Sequence, residues 1–324
     1  NNPCTKDSCD AGTGECSSVP AIGAACSDNN LCTVGDSCQA GQCKAGPPKA
    51  CGSAAVCVAG VCKSTTPPGM ALIPAGSFQM GCVPGDVQCS AIEKIQHGAN
   101  LDAFYMDIHE VTMAAYTACV TAGTCPAPAS NSTYCSGSFA GYTNWDSGAS
   151  KPKAGRDQHP ANCVTWHDAD KYCKWVDPKG HLPTEAQGEK AARGGLDGKY
   201  FPWGNEAPIC TPGQPNMAIW NKGGHGCGTG ATWAVGTGSA KNGYGLYDMA
   251  GNVWEWTADW YAKSYYGSAP VNNPTGSPSG TERLYRGGSF FSGVPHELRA
   301  SARVNSVPTE KRMNLGFRCA RSYP

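Results

Sequence analysis

The chain has 324 residues, and its 25 lysines and arginines balance 25 aspartates and glutamates, so the formal net charge is zero. Without a surplus of basic residues to neutralise phosphates, nucleic acid is not an expected partner. No run of about 18 apolar residues occurs, so no membrane span is predicted. The 42 glycines and 24 prolines favour a fold rich in loops over one built from long helices.

The distribution of cysteines predicts the compartment. Ten of the 20 cysteines lie within residues 1–64 and ten lie in the rest of the chain, so each region can close its own disulfides. The N-terminal region contains no Cys-x2-Cys pair, a spacing typical of zinc sites, and disulfides are therefore favoured over metal. Because disulfides persist in oxidising surroundings, we expect a secreted, cell-surface or periplasmic protein whose signal peptide has been removed.

The N-terminal cysteines form a degenerate repeat. Cys32-x5-Cys38-x4-Cys43 recurs as a second copy that begins at Cys51 and continues through Cys57 and Cys62. Few large apolar residues separate these cysteines, so crosslinks must replace a buried core. We predict a disulfide-stapled stalk or spacer over residues 1–64, a linker over 65–69 and a second domain over 70–324. The alternative for the first region is a calcium or partner site that uses Asp28 and Asp36.

Three helices are predicted in the second domain. Apolar residues recur at helical spacing over residues 111–120. Thr165 followed by Asp168 opens a second helix, and Thr184 followed by Gln187 forms a capping box that opens a third. We expect short strands and long ordered loops elsewhere.

Several motifs then follow one another in an order typical of a known family. They are GMALIPAGSFQMG (69–81), HEVTMAAY (109–116), HPANCVTWHDADKYCKW (159–175), HLPTEAQGEKAARGG (181–195), FPWGNE (201–206), NGYGLYDMAGNVWEWTADWY (242–261), RGGSF (286–290) and NLGFRCARS (314–322). Over about residues 69–322 the chain resembles the sulfatase-modifying factor (FGE-sulfatase) family, to which the formylglycine-generating enzyme belongs. The resemblance implies an α+β, C-type-lectin-like fold with little regular secondary structure. The cysteine-rich start of the chain resembles repeats found in secreted bacterial proteins.

The resemblance also directs attention to the copper site of the family. Formylglycine-generating enzymes bind copper(I) with two cysteines shortly after the GGS motif, because soft thiolates suit that ion. Residues 287–299 of this chain contain no cysteine, and alignment places Ser292 and Pro295 where those thiols would lie. Copper is therefore not expected, nor is formylglycine formation by the copper mechanism. A remodelled catalytic site could instead use Ser292, His296 and Glu297.

A calcium site is the second implication of the resemblance. The matching ligands are the Asp248 side chain, the Gly251 and Val253 carbonyls and the Glu255 side chain. Hard oxygen donors of this kind suit calcium, so one bound calcium ion is expected. The alternative is that Asp248 and Glu255 only accept hydrogen bonds from loop amides.

The resemblance further implies a disulfide between Cys173 and Cys319. Cys210 and Cys227 flank a glycine-rich insertion and are also expected to pair. Residues 289–312 match the segment that lines the family's pocket, and its polar and aromatic residues could bind a peptide, a glycan or a protein surface. The candidates for this role are Ser289, Phe291, Arg299, Arg303 and Asn305.

Two functions follow from these observations. The first is a calcium-stabilised extracellular binding or structural module, and its balanced charge is compatible with self-association. The alternative is an oxidoreductase of the same family with a remodelled, non-thiolate active site.

Overall fold

The computed structural model describes residues 2–10, 12–13, 15–27, 29–50, 55–58, 61–64, 66–93, 96–128, 132–267 and 270–323. For residues 9, 55–58 and 61–64 it describes the backbone alone. The chain divides into two units, Asn1–Pro68 and Gly69–Pro324. Within the described residues, no helix is long and apolar enough to cross a membrane.

The first unit consists of short antiparallel hairpins. The paired strands are β1 (Thr5–Cys9) with β2 (Cys16–Pro20), β3 (Ser37–Gln39) with β4 (Gln42–Lys44), and β5 (Ala55–Val58) with β6 (Val61–Ser64). Disulfides join Cys4 to Cys38 and Cys26 to Cys43. The described side chains of the β1–β2 and β3–β4 hairpins are mostly exposed, as is usual for units too small to bury a core.

The structure describes only one of the two aspartates of the alternative calcium site in the first unit. Asp28 lies outside the described residues, as do Cys51 of the repeat and Thr65 of the linker. The carboxylate of Asp36 accepts a hydrogen bond from the Gly46 amide at 2.9 Å.

Three α-helices occur among the described residues of the second unit: α1 (Met113–Thr121), α2 (Trp166–Val176) and α3 (Glu185–Arg193). Both capping boxes are present, with Thr165 paired to Asp168 and Thr184 paired to Gln187. The first helix starts two residues later than residue 111, because Thr112 caps it and the Val111 amide donates instead to the Phe317 carbonyl.

Two four-stranded sheets organise this unit. The first has the order β13-β18-β10-β7, and the second has the order β16-β15-β14-β17, in which only β14 and β17 run parallel. Their strands are β7 (Met70–Ile73), β10 (Phe104–Asp107), β13 (Gly180–His181), β14 (Trp254–Trp260), β15 (Arg283–Arg286), β16 (Arg303–Ser306), β17 (Leu315–Gly316) and β18 (Ala320–Ser322). Two further pairs are β8 (Gly76–Met80) with β9 (His97–Leu101), and β11 (Trp145–Asp146) with β12 (Lys151–Pro152).

The largest buried cluster joins helices to a sheet, and long loops connect the elements. Trp254 and Trp256 lie in one cluster with Tyr116, Tyr172 and Phe317, which joins α1 and α2 to the second sheet. Long irregular segments such as residues 194–253 carry none of the named helices or strands. The α+β fold with little regular secondary structure is therefore confirmed.

Five disulfides crosslink the second unit in the described residues: Cys82–Cys89, Cys119–Cys125, Cys135–Cys163, Cys173–Cys319 and Cys210–Cys227. The two pairs expected from the sequence, Cys173–Cys319 and Cys210–Cys227, are both bonded in the structure. The first of them ties α2 to Cys319, the residue that precedes β18, across 146 residues of sequence.

Candidate functional site

The segment after the GGS motif forms a closed hydrogen-bonded loop. The Ser289 amide donates to the Ser292 hydroxyl oxygen at 3.0 Å, and the Ser292 amide donates back to the Ser289 carbonyl at 3.0 Å. The Asn314 side-chain amide reaches the Ser289 hydroxyl at 3.1 Å. Ser289 and Ser292 are buried. The Ser292 hydroxyl, which aligns with one of the family's thiolates, and the Ser289 hydroxyl therefore help to hold the loop in shape.

Gly288 lets this loop pass close to the following turn. Its φ is +72°, and a Cβ added there would lie 2.5 Å from Leu298 Cδ2 and 2.9 Å from the Glu297 carbonyl oxygen. A side chain at this position would thus meet both strain and a backbone clash.

The three catalytic candidates are placed differently from one another. His296 and Glu297 lie half-buried in a 3-10 turn, Pro295–Leu298. The hydroxyl oxygen of Ser292 accepts a hydrogen bond from the Ser289 amide. The hydrogen bonds of the described residues include none that joins any two of the three side chains. The His296 carbonyl accepts a bond from Arg299 Nε at 2.9 Å. The structure thus places these residues in one loop without a hydrogen-bonded catalytic arrangement.

Arg299 is held by the loop that the Cys82–Cys89 disulfide closes. Its guanidinium contacts the Asp86 carboxylate, lies 3.1 Å from the Gln88 carbonyl and 3.0 Å from the Glu93 carboxylate. The residue is 3% exposed. Because its donors are taken by protein groups, Arg299 acts as a crosslink between two loops.

The other ligand-binding candidates are dispersed. Arg303 is buried 3.7 Å from the Glu185 carboxylate, with its guanidinium 4.3 Å from the centre of the Tyr266 ring. The Asn305 amide donates to Glu282 at 2.9 Å. Phe291 stacks on His225, with 3.7 Å between the ring centroids. Each of these side chains thus has its own protein partner, and a ligand-binding role for Ser289, Phe291, Arg299, Arg303 and Asn305 stays a prediction.

The loop expected to bind calcium is tightly curled. Asp248, Gly251 and Asn252 have φ values of +54°, +92° and +58°. The buried Asp248 carboxylate accepts bonds from the Gly236 amide at 2.6 Å and from the Ser239 hydroxyl at 2.7 Å. These two hydrogen bonds to the Asp248 carboxylate fix the loop to residues 236–239.

Glu255 is part of a buried ion pair. Arg318 Nε and Nη2 each donate to a Glu255 carboxylate oxygen at 2.7 Å. The same guanidinium also donates to the carbonyls of Asp107, Ile108 and Tyr247. Such a bidentate pair with further carbonyl partners leaves the arginine fully satisfied.

Glu110 is an acid of this region that sequence reasoning missed. It is 2% exposed, and neither of its carboxylate oxygens has a hydrogen-bond partner among the described residues. Burial and the nearby Asp248 carboxylate raise its pKa well above the ordinary value. Glu255 also contributes to this rise, whereas Arg318 opposes it. The motif HEVTMAAY contained Glu110, but nothing local distinguished it from a surface acid.

Asp107 adds a further buried carboxyl beside the same arginine. Its Oδ2 atom accepts a bond from the Cys319 amide at 2.8 Å, and burial raises its pKa to about 7. Asp107, Glu110, Asp248 and Glu255 therefore surround Arg318 with more acid groups than one guanidinium neutralises. Because an unpaired buried carboxylate is costly, burial favours the protonated form of Asp107 and Glu110 unless a cation lies beside them.

Comparison with known proteins agrees with this architecture. Residues 58–323 match the family model described as Sulfatase-modifying factor enzyme 1-like domain. The formylglycine-generating enzyme of Streptomyces coelicolor is 34% identical over 285 residues, which cover 78% of this chain and 88% of that protein. The inactive C-alpha-formylglycine-generating enzyme 2 of Mus musculus is 36% identical over 179 residues, covering 50% of this chain and 49% of that protein.

A solved structure shows the same fold. PvdO from Pseudomonas aeruginosa superposes with a TM-score of 0.62 at 26% identity, covering 78% of this chain and 94% of that one. The family model covers well over half of the chain, and the sequence and structure relatives agree with it. The chain therefore belongs to the sulfatase-modifying factor enzyme 1-like (FGE-sulfatase) family.

Proposed function

We propose that this protein is an extracellular binding or structural module of the FGE-sulfatase family, stabilised by one calcium ion, and that it does not form formylglycine by the copper–thiolate mechanism. One observation carries the proposal. Residues 287–299 contain no cysteine, and the Ser292 hydroxyl oxygen accepts a hydrogen bond from the Ser289 amide. A serine hydroxyl is not the soft anionic ligand that copper(I) requires.

The calcium proposal rests on the acids around Arg318. Asp248, the carbonyls of Gly251 and Val253, and Glu255 would hold the ion, with Glu110 as an additional acid. The unpartnered oxygens of Glu110 support this assignment, because a buried carboxylate without hydrogen bonds calls for a cation. The ion would supply positive charge that fixes the loops, and it would take no part in bond breaking.

The extracellular location is supported by the disulfides. Crosslinks occur in both units, and within the described residues no cysteine is free. So dense a set of bonds fits an oxidising compartment better than a reducing one. Peptides, glycans and protein surfaces are the ligand classes that such a module would meet there.

Metal analysis of the native protein tests the proposal. We expect about one calcium per chain and no stoichiometric copper or iron. Chelation by EDTA should lower the unfolding temperature, and added calcium should restore it. Absence of both calcium and a thermal response would overturn the calcium assignment.

The competing oxidoreductase makes the opposite prediction. Stoichiometric copper or iron, together with oxygen consumption in the presence of a cysteine-containing peptide, would favour a remodelled active site. A His296→Ala variant would then have to lose the metal. Under the binding proposal, that variant retains calcium and wild-type stability.

A further inference from the structure

A surface cavity outside the expected sites has a distinctive lining. Its volume is about 370 Å³, and its polar and aromatic walls come from Arg156, His159, Thr229, Thr232, Trp233 and Thr237. No acidic residue lines it. A cavity of this size suits a small ligand, and its single formal charge is positive.

Arg156 has hydrogen-bonding capacity left for a ligand. Its Nη1 atom lies 3.1 Å from both His159 Nδ1 and the Thr232 carbonyl oxygen. Within the described part of the chain, Nε and Nη2 make no hydrogen bond and no carboxylate pairs with the guanidinium. An arginine in this state presents the fork of donors that binds a carboxylate.

His159 is a neutral donor in the same wall. His159 Nδ1 lies 3.1 Å from Arg156 Nη1 and 2.9 Å from the Thr232 hydroxyl oxygen. Because an arginine only donates, a neutral ring accommodates both contacts when Nδ1 accepts, which places the ring proton on Nε2. Burial, with the charge of Arg156, lowers the pKa of His159 to about 4, so the ring is neutral at pH 7. The cavity thus offers donors from two side chains without an opposing negative charge.

Trp233 supplies a fixed aromatic face. Its backbone amide donates to Asn252 Oδ1 at 3.0 Å, and its indole nitrogen donates to the Gly226 carbonyl at 3.0 Å. One bond fixes the backbone and the other the indole nitrogen, while the residue remains partly exposed. A pre-positioned indole is a good surface for a planar or sugar ring, because little side-chain entropy is lost on binding.

We propose that this cavity binds a small ligand that carries a carboxylate next to a ring, with the carboxylate on Arg156 and the ring against Trp233. The ring is either that of a sugar acid or that of an aromatic acid, since both share this chemistry. The proposal deepens the binding function proposed above by naming a site and a ligand class. It does not depend on the calcium assignment, so the two can fail separately.

Calorimetric titration of the full chain at pH 7 and low salt tests the site. The probes are galacturonate with galactose as its neutral counterpart, and N-acetylphenylalanine with its amide. We expect one acid of the two pairs to bind at least tenfold more tightly than its neutral counterpart, a difference of about 1.4 kcal/mol. Preference within the first pair identifies a sugar acid, and preference within the second an aromatic acid.

Variants then locate the site. Arg156→Gln should weaken binding of the acid at least tenfold, and Arg156→Lys should keep part of the affinity. Trp233→Ala should weaken binding more than Trp233→Phe, which retains an aromatic face. Arg321→Gln is the matched control, because Arg321 pairs with Asp177 at 2.7 Å and does not line the cavity.

Circular dichroism and thermal unfolding establish that each variant is folded. Equal affinity for an acid and its neutral counterpart overturns the proposal, as does undetectable binding of both acids by the wild-type chain. These two outcomes need no variant. Retained affinity in a folded Arg156→Gln protein also overturns it.

Discussion

Arg318 and Glu255 form a bidentate ion pair in the interior, with two hydrogen bonds of 2.7 Å between guanidinium and carboxylate. Their side chains are 1% and 9% exposed. The pair joins the start of β14 to the segment between β17 and β18, beside the loop proposed to hold calcium. It is therefore both a structural bond and one border of the candidate cation site.

Removing one charge of this pair should be costly. Glu255→Gln would remove the carboxylate that accepts two hydrogen bonds from the buried Arg318 guanidinium, and we expect the free energy of unfolding in EDTA to fall by about 3–5 kcal/mol. Urea unfolding monitored by fluorescence measures the loss. Glu282→Gln is the control, because Glu282 is only partly buried and makes its hydrogen bond to Asn305. A similar loss in both variants would contradict the special role of the pair.

A variant of Glu110 should distinguish an effect on calcium binding from an effect on folding stability. Because its oxygens have no hydrogen-bond partner, Glu110→Gln should leave stability in EDTA unchanged or higher. The same variant should show a smaller rise in unfolding temperature when calcium is added, since it has lost an acid near the ion.

Differential scanning fluorimetry across a calcium titration checks this expectation. The exposed Glu206 provides the matched control as Glu206→Gln, which should behave as the wild type. A calcium response of full size in Glu110→Gln would remove Glu110 from the site.

The Cys173–Cys319 disulfide should stabilise the second unit strongly. Its partners are 146 residues apart, and a loop of that length corresponds to a loss of unfolded-state entropy of about 5 kcal/mol. The double variant Cys173→Ser with Cys319→Ser should lose an amount of this order in denaturant unfolding.

The comparison bond is Cys119–Cys125, whose partners are only six residues apart. By the same entropic relation, its removal should cost about 2 kcal/mol. An equal or larger loss for the short loop would show that native-state packing, not loop closure, dominates the effect.

His159 should make the protein sensitive to mild acid. Its pKa is lowered from 6.5 to about 4 in the folded state, chiefly by burial. Between these values the unfolded chain takes up a proton that the folded chain does not, so the contribution of His159 to stability is present above pH 6.5 and lost as pH falls toward 4. His159→Asn should therefore lose less stability than the wild type over this range.

Unfolding temperatures at pH 7.0 and 4.5 provide the measurement. His167→Asn is the control, because His167 is exposed near the start of α2. If His159→Asn and the wild type respond identically to pH, the ring is not held neutral in the folded protein.

Expectations that depend on a few neighbouring residues agree with the structure. The capping boxes at Thr165 and Thr184 each need only a hydroxyl and an acceptor three residues later, so their hydrogen bonds are encoded locally. The first helix shows the limit of this reasoning. Its apolar spacing includes Val111, but the Val111 amide donates to the Phe317 carbonyl, more than 200 residues away, and the Val111 carbonyl accepts from the Ala161 amide, so Val111 stays outside the helix that Thr112 caps.

The ligand-binding candidates of residues 289–305 show the same limit at the site. Because these residues are close in sequence, we expected them to line one pocket. In the structure the Arg299 guanidinium contacts the Asp86 carboxylate, and the Arg303 guanidinium lies near the Glu185 carboxylate. No residue near Arg299 in the sequence predicts its contact with the loop that the Cys82–Cys89 disulfide closes. Conversely, Arg156 and Trp233 line one cavity although 77 positions separate them.

By itself the sequence determined the family, the density of crosslinks and the lack of thiols in residues 287–299, because these are properties of composition and of local motifs. Only the tertiary structure decided that, among the residues it describes, Glu110 is buried near Asp248 and Glu255 with no hydrogen-bond partner for its carboxylate, and Arg156 has no acidic partner. The physical reason is that the cost of burying a charge depends on which distant groups the fold places around it.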